Sequence, residues 1–489
     1  MRFLKFIKLQ RRKRKSFLSM SEIKDIKFFQ IGNFFNNNKT KSGIFLGKKM
    51  NKKIIENSEF HSVAFFENGN GNYNYAINMP TLLESWKESA IILDYKSEIY
   101  SCTSNAREKM GNKILEMNLN SKLSCKYNPF EEVKMMSRYE IFEIEDIISD
   151  IFEEKLLKAE KQSNDFYLDM DYFYFEGAKK LIINIIYYLN YKEFLRNPAF
   201  AVENDMRLPV SKIKFKDIIN FFNDKGKKEK VEEILEILNE NMIEKYGKNK
   251  ETKEYVKNKL DNLNKLYTLP PEEIEKNDKL IQEGKLPKIY NFLKLHSDST
   301  LESFFYTAKI VLNDFEKKFT DKDFLNAESD FRLSDLTNFK EPVSLYLSFN
   351  SDKDEASKMF YRILLRQFIK KRISYAKNYS HKCLLNLNKA SFLGKFEELE
   401  DFLLFYSDVN KSCGIKLLMN FTSPEEIKKI YGKNDFILKK CKFKIRKETK
   451  GKKILVEANG FKPMLLAPAC YGQGCGFKKI FSKFQKKKK

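Results

Sequence analysis

HSVAFFENGNGNYNYAINMPTLLESWKESAIILDYKSEIY, residues 61–100, reads as a strand, a glycine-rich loop, a helix and a second strand. Residues 63–66 form a short apolar run, and residues 67–74 form a loop of Asn and Gly. Residues 76–83 open a helix. Residues 90–93 form a buried strand that ends on Asp94. This layout cradles phosphate, because loop N–H groups and the helix dipole both face the anion. The side chains of that chemistry are missing. A working loop reads G-x-x-x-x-G-K-S/T, with the Lys on the outer phosphates and the hydroxyl on magnesium. With residues 80–83 as a fixed point on the helix, Tyr73 falls in the Lys place, Asn74 in the hydroxyl place and Asn72 on the last glycine. Gly69 and Gly71 remain, serving either turn geometry or phosphate.

Outward from this stretch, a helix near residues 101–110 and a strand at 113–116 complete a βαβαβ order, which predicts a parallel sheet. Residues 131–200 read as helical, and the apolar helix at 173–189 is expected to be buried against the sheet. Residues 211–331 show helices and no strands, so they read as an all-helical insertion. Within them Ser299 and Glu302 suggest a capping box opening a helix over 301–315. Strands return at 343–349, 383–387 and 415–421 and are expected to extend the first sheet. The segment from Lys462 reads as a flexible basic arm.

With 42% hydrophobic residues, 44 of them Phe, the chain is globular rather than disordered. A net charge of +24 suits nucleic acid, an anionic membrane face or acidic partners; the codon bias of an AT-rich genome accounts for it equally. Seven scattered cysteines include one close pair, Cys470 and Cys475, with no second pair to complete a zinc site. Three histidines make a His-based metal centre improbable, and no metal site is expected. No run reaches the ~18 apolar residues of a membrane span.

Several segments, in order, carry a family signal. Residues 43–47 (GIFLG) look like a glycine-bounded lead-in, and residues 78–83 (NMPTLL) resemble I-P-T-L-L after a phosphate loop. Residues 93–100 (LDYKSEIY) resemble L-D-x-K-G-E-L-Y with Ser97 for Gly, and residues 127–130 (YNPF) match Y-N-P-L. Residues 329–336 (SDFRLSDL) with 342–347 (PVSLYL) look like a return from a helical domain to a sheet, and residues 393–400 (LGKFEELE) resemble L-G-R-L-E-x-L-E. By these the chain resembles the type IV secretion coupling proteins, the TraG-like conjugative transfer ATPases, from about Gly43 to about Lys440.

The resemblance implies an α/β fold: a RecA-like P-loop NTPase sheet with an inserted all-α domain. It implies ATP and magnesium in the family, hexameric rings at the inner membrane, and partners that include secretion-channel subunits, a relaxase or other cargo, and DNA. On this basis residues 1–58 are a basic segment without membrane helices. Residues 59–210 and 332–461 are the two parts of the nucleotide-binding domain, 211–331 the insertion and 462–489 a basic tail. The sequence departs from the family at each catalytic position. The Asp-Glu pair that handles magnesium and water falls on Asn388 and Lys389, and the coupling Gln falls on Thr422. Asp94, Lys96 and Glu98 are either a remnant of the nucleotide or subunit interface or an ordinary polar strand end.

The leading expectation is an ATPase-deficient coupling-protein homologue with no bound cofactor. It would act as scaffold or adaptor, cytoplasmic or peripheral at the inner membrane face, as a hexamer or beside an active homologue. The alternatives are an ATPase with an atypical site in which Lys96 or another Lys substitutes, a decayed gene product, and a basic DNA-binding remnant.

Overall fold

The computed structural model describes residues 17–27, 29–32, 42–66, 73–135, 140–162, 166–196, 210–224, 297–374, 379–406, 413–432, 436–448 and 453–469. The chain divides into two units. One is drawn from residues 1–118, 332–361 and 368–489, the other from 119–331 and 362–367.

The first unit carries the strands, which in chain order are β1 (Phe29–Gly32), β2 (Ile44–Lys49), β3 (Lys52–Glu56), β4 (Ser62–Phe65), β5 (Ser89–Tyr95), β6 (Lys113–Met117), β7 (Val343–Phe349), β8 (Cys383–Leu387), β9 (Ile415–Phe421), β10 (Phe443–Lys447), β11 (Ile454–Ala458) and β12 (Met464–Leu466). The first three form a small antiparallel sheet in the order β1-β3-β2. The rest form one sheet in the order β12-β11-β10-β4-β9-β8-β5-β7-β6, parallel from β10 to β6 and antiparallel through β10, β11 and β12. The central strands are near-continuous apolar runs, such as VSLYLSF in β7, and every residue of β7, β8 and β9 is buried. That is the pattern of a parallel sheet covered on both faces.

The strands of the 61–117 stretch are not neighbours. Strands β9 and β8, from the second half of the chain, lie between β4 and β5, and β7 lies between β5 and β6. The order of hydrophobic runs gives the parallel sense but not the pairing. The segment from Lys462 is not simply an arm, because Met464–Leu466 forms β12 against β11. Its apolar residues Met464 and Leu466 are buried.

The helix Tyr73–Pro80 runs into a π-helical turn, Thr81–Ser85, after Pro80. A widened turn accommodates a residue that lacks an N–H. This helix contributes Ala76, Ile77 and Met79, and the turn contributes Leu82, to a core with Trp86, Ile92, Ile99, Tyr346 and Leu418. Gly43 is required where β2 meets β3: a Cβ there would lie 2.4 Å from the Glu56 carbonyl oxygen.

The second unit is helical. The helices Glu140–Gln162, Phe166–Arg196 and Asp298–Lys317 pack together, joined by the short helix Phe215–Asn223. The unit therefore begins at residue 119, not at 211 as the sequence suggested. The helix containing 173–189, expected against the sheet, belongs to this unit and packs on the helices Glu140–Gln162 and Asp298–Lys317. Gly177 explains the close approach, since a Cβ there would meet the Phe304 ring at 2.2 Å. The cap of Asp298–Lys317 is Ser297, which accepts from the Thr300 N–H, rather than Ser299. Asp150 sits buried between Arg362 and Arg366, at 3.2 and 2.7 Å. Among the described residues no helix is long and apolar enough to cross a membrane.

Candidate functional site

In an open parallel sheet the carboxyl ends of the strands, where strand order reverses, are where ligands bind. Here those ends are β4, β9, β8, β5 and β7. Gly69, Gly71 and Asn72, after β4, lie outside the described residues. Tyr73 and Asn74 are the first two residues of the helix that follows.

Asp94, near the end of β5, is fully buried. Its two oxygens accept the N–H groups of Ile99 (2.9 Å) and Tyr100 (2.7 Å), so it caps the helix Glu98–Lys109. Burial pushes its carboxyl up to about 7, against the opposing pull of those N–H groups and with some help from Glu116. The turn between strand and helix needs left-handed backbone at Lys96 (φ 59°) and Ser97 (φ 53°), the second of these where the family has Gly. Ser97 Oγ and Ser348 Oγ both donate to Glu116 Oε1, at 2.7 and 2.8 Å. Lys96 and Glu98 are exposed, and the Lys96 ammonium lies over the Tyr95 ring at 5.0 Å. The three charged residues are thus not brought together on one ligand.

Asn388, just past β8, is buried. Its Oδ1 accepts from Asn78 Nδ2 at 3.3 Å and from Asn420 Nδ2 at 3.4 Å. Asn78 comes from the helix after the loop and Asn420 from β9, so the end of β8 meets its neighbours through a cluster of carboxamides. Lys389 takes a left-handed conformation (φ 66°). Its ammonium pairs with Asp352, past the end of β7, and lies 4.3 Å from the centroid of Tyr95 at the end of β5. One side chain thereby ties together the ends of three adjacent strands, β8, β5 and β7. Beside it the rings of Phe349 and Phe392 stack at 3.8 Å, and Tyr95 packs on Phe349 at 5.4 Å.

Thr422 follows β9. Its N–H and Oγ1 donate to Glu426 Oε2 at 2.6 and 2.8 Å, and Ser423 caps the helix Pro424–Tyr431. Its polar groups are engaged in the start of that helix.

Sequence reading missed Asn78, Asn386, Asn420, Tyr95 and Asp352. A signal existed for the strand asparagines, since CLLNL and IKLLMNF each place one Asn inside a buried apolar run. It also missed Arg107, which is buried with no carboxylate paired to it among the described residues. Arg107 donates to the carbonyls of Leu82 (3.2 Å), Trp86 (2.6 Å) and Glu88 (2.5 Å), to Asn112 Oδ1 (2.7 Å) and to Ser344 Oγ (2.5 Å). It fixes the turn after the π-helix against β7, and burial lowers its guanidinium to about 10.

Magnesium takes near-octahedral oxygen coordination, usually through one or two carboxylates. Among the described residues at this strand edge the donors are neutral carboxamides beside an ammonium; Asp94 and Glu116 are engaged by N–H and O–H donors, and Asp352 by the Lys389 ammonium. This set does not fit the ion. Among the described residues no three His, Cys, Asp or Glu side chains gather to hold a metal.

No curated protein sequence matches the chain. Its fold matches the bacterial conjugative coupling protein TrwBdeltaN70, in a trigonal form with sulphate, at 9% identity with a TM-score of 0.50, over 91% of this chain and 95% of that one. It also matches plasmid coupling protein TrwB in complex with the non-hydrolysable ATP analogue ADPNP, at 10% identity and TM-score 0.50, over 91% and 94%. These likenesses show the fold, a RecA-like P-loop NTPase sheet. The family described as type IV secretory system conjugative DNA transfer matches residues 17–439, so the chain belongs to that family.

Proposed function

We propose that the protein is a coupling-protein homologue that does not turn over nucleotide and serves as a scaffold or adaptor, recruiting DNA or protein cargo to a secretion channel. The observation that carries this reading is the Asn388–Lys389 pair. Asn388 is bound into a buried amide cluster. Lys389 puts a positive charge where magnesium would need a negative one and is held by Asp352 and Tyr95. Phosphoryl transfer depends on positioning and electrostatics, so losing these parts together removes turnover. The resemblance adds Tyr73 and Asn74 in the Lys and hydroxyl places of the loop. Secretion-channel subunits, a relaxase or other cargo, and an active homologue in a shared ring are the partners this role requires, at the inner face of the cytoplasmic membrane.

Equilibrium binding of a fluorescent ATP analogue, with and without magnesium, tests the reading. No saturable binding below about 1 mM is expected, which corresponds to less than about 4 kcal/mol of affinity. Magnesium-dependent binding near about 1 μM would overturn it. The atypical-ATPase alternative would then gain ground, and a K96A variant would show whether Lys96 had taken over the charge.

A further inference from the structure

We infer that the carboxamides of Asn78, Asn386, Asn388 and Asn420 enclose an internal hydration site, in which ordered water bridges amides of the helix Tyr73–Pro80 to strands β8 and β9. The four side chains are at most 6% exposed. Asn386 and Asn420 share one face of the sheet, because Asn386 pairs with Leu418 across the parallel β8–β9 ladder and Asn420 lies two residues further along β9. Asn388 joins that face through its bond to Asn420, and Asn78 meets it from the covering helix.

The direct bonds within the cluster leave polar atoms over. Asn78 Oδ1, Asn420 Oδ1 and both Asn386 Oδ1 and Nδ2 are buried and have no hydrogen-bond partner among the described residues. A buried polar atom left without a partner pays its full desolvation cost with no hydrogen bond in return. Three of the four are acceptors. Rotating the Asn78 or Asn420 amide would turn an oxygen toward Asn388 Oδ1 and leave an Nδ2 over in its place, since each directs one of its two N–H donors at that oxygen. The missing partner must therefore supply mainly hydrogen-bond donors and also accept one. Water does both, and a buried water normally makes 2–4 such bonds. A cation could meet the oxygens, but it could not accept from Asn386 Nδ2, and no carboxylate belongs to the cluster to balance it. The Lys389 ammonium follows Asn388 directly in the chain.

The test is a high-resolution crystal structure of the full chain grown with thallium(I) as a potassium mimic, paired with water-oxygen magnetic relaxation dispersion on wild type and N386L. The expected result is density at about 2.7–3.2 Å from Asn386 and at least one of Asn78 and Asn420, with no anomalous signal. At least one long-lived water should also be lost in N386L. An anomalous peak would overturn the inference in favour of a cation. Amides paired directly with no density between them would overturn it in favour of a dry cluster. Should N386L fail to fold, the wild-type density alone decides.

Discussion

Asp94→Asn separates a capping carboxylate from a ligand-binding one, and its signature is a dependence on pH. In the folded protein the Asp94 carboxyl titrates at about 7, against 3.8 for the free group, chiefly because it is buried. Between these values the folded state holds a proton that the unfolded state has released. Asp94's contribution to stability is therefore fully present below about pH 4 and is lost as pH rises through 7. At about 1.4 kcal/mol per pH unit, the loss amounts to on the order of 4 kcal/mol. An Asn at this position does not titrate. The difference in unfolding free energy, wild type minus variant, should thus fall by about that amount between pH 4 and pH 8, whatever the variant's absolute stability. The chain's single Trp is Trp86, buried in the same core, so its fluorescence during urea unfolding reports on this unit. A difference that stays constant from pH 4 to pH 8 would refute the reasoning. Asp94 would then remain charged throughout, as a carboxylate open to solvent or to a ligand does.

His61 should show the opposite sign. It is buried, with Nδ1 accepting from the Leu417 N–H and Nε2 facing the Tyr406 carbonyl, and burial lowers it from 6.5 to about 4. Stability from this group is present above pH 6.5 and lost as pH falls towards 4, and an H61Q variant should lack that acid-side loss in the same urea assay. K389A should cost about 1–2 kcal/mol, from the Asp352 pair and the Tyr95 contact. K389G should recover about 0.5–1 kcal/mol of that by relieving the left-handed backbone, and equal melting temperatures for the two would show that the strain is absent. R107K should destabilise by about 3–5 kcal/mol, because Lys cannot span five acceptors and leaves carbonyls unpaired; a melting temperature within a degree or two of wild type would contradict it. If DNA is the cargo, affinity should drop by about 10³ or more between 50 and 200 mM salt in an anisotropy titration, and a flat response would leave protein cargo alone.

Much of the fold was legible because hydrophobic periodicity is local. The apolar runs at 343–349, 383–387 and 415–421 became β7, β8 and β9, and Asp94 was read at the end of a buried strand. The pairing was not legible. Any of several buried runs fits beside β4, and nothing local in them says which one pairs there. The unit boundary failed for a related reason. The buried residues of 140–159 and 177–190 are largely apolar, but the sequence does not say whether they meet a sheet or other helices.

The sequence by itself determined the charge and the identities of Asn388 and Lys389, which the resemblance sets where the family has acids and which no fold could make carboxylates. Only the tertiary structure decided what those residues do instead. Asn78, Asn388 and Asn420 come from separate stretches of chain, and their amides meet because β8 and β9 pair under the helix that follows β4. Lys389 reaches Asp352 and Tyr95 because β5 lies between β8 and β7. Such contacts depend on strand order, which is set by packing between segments distant in the chain and leaves no local trace in the sequence.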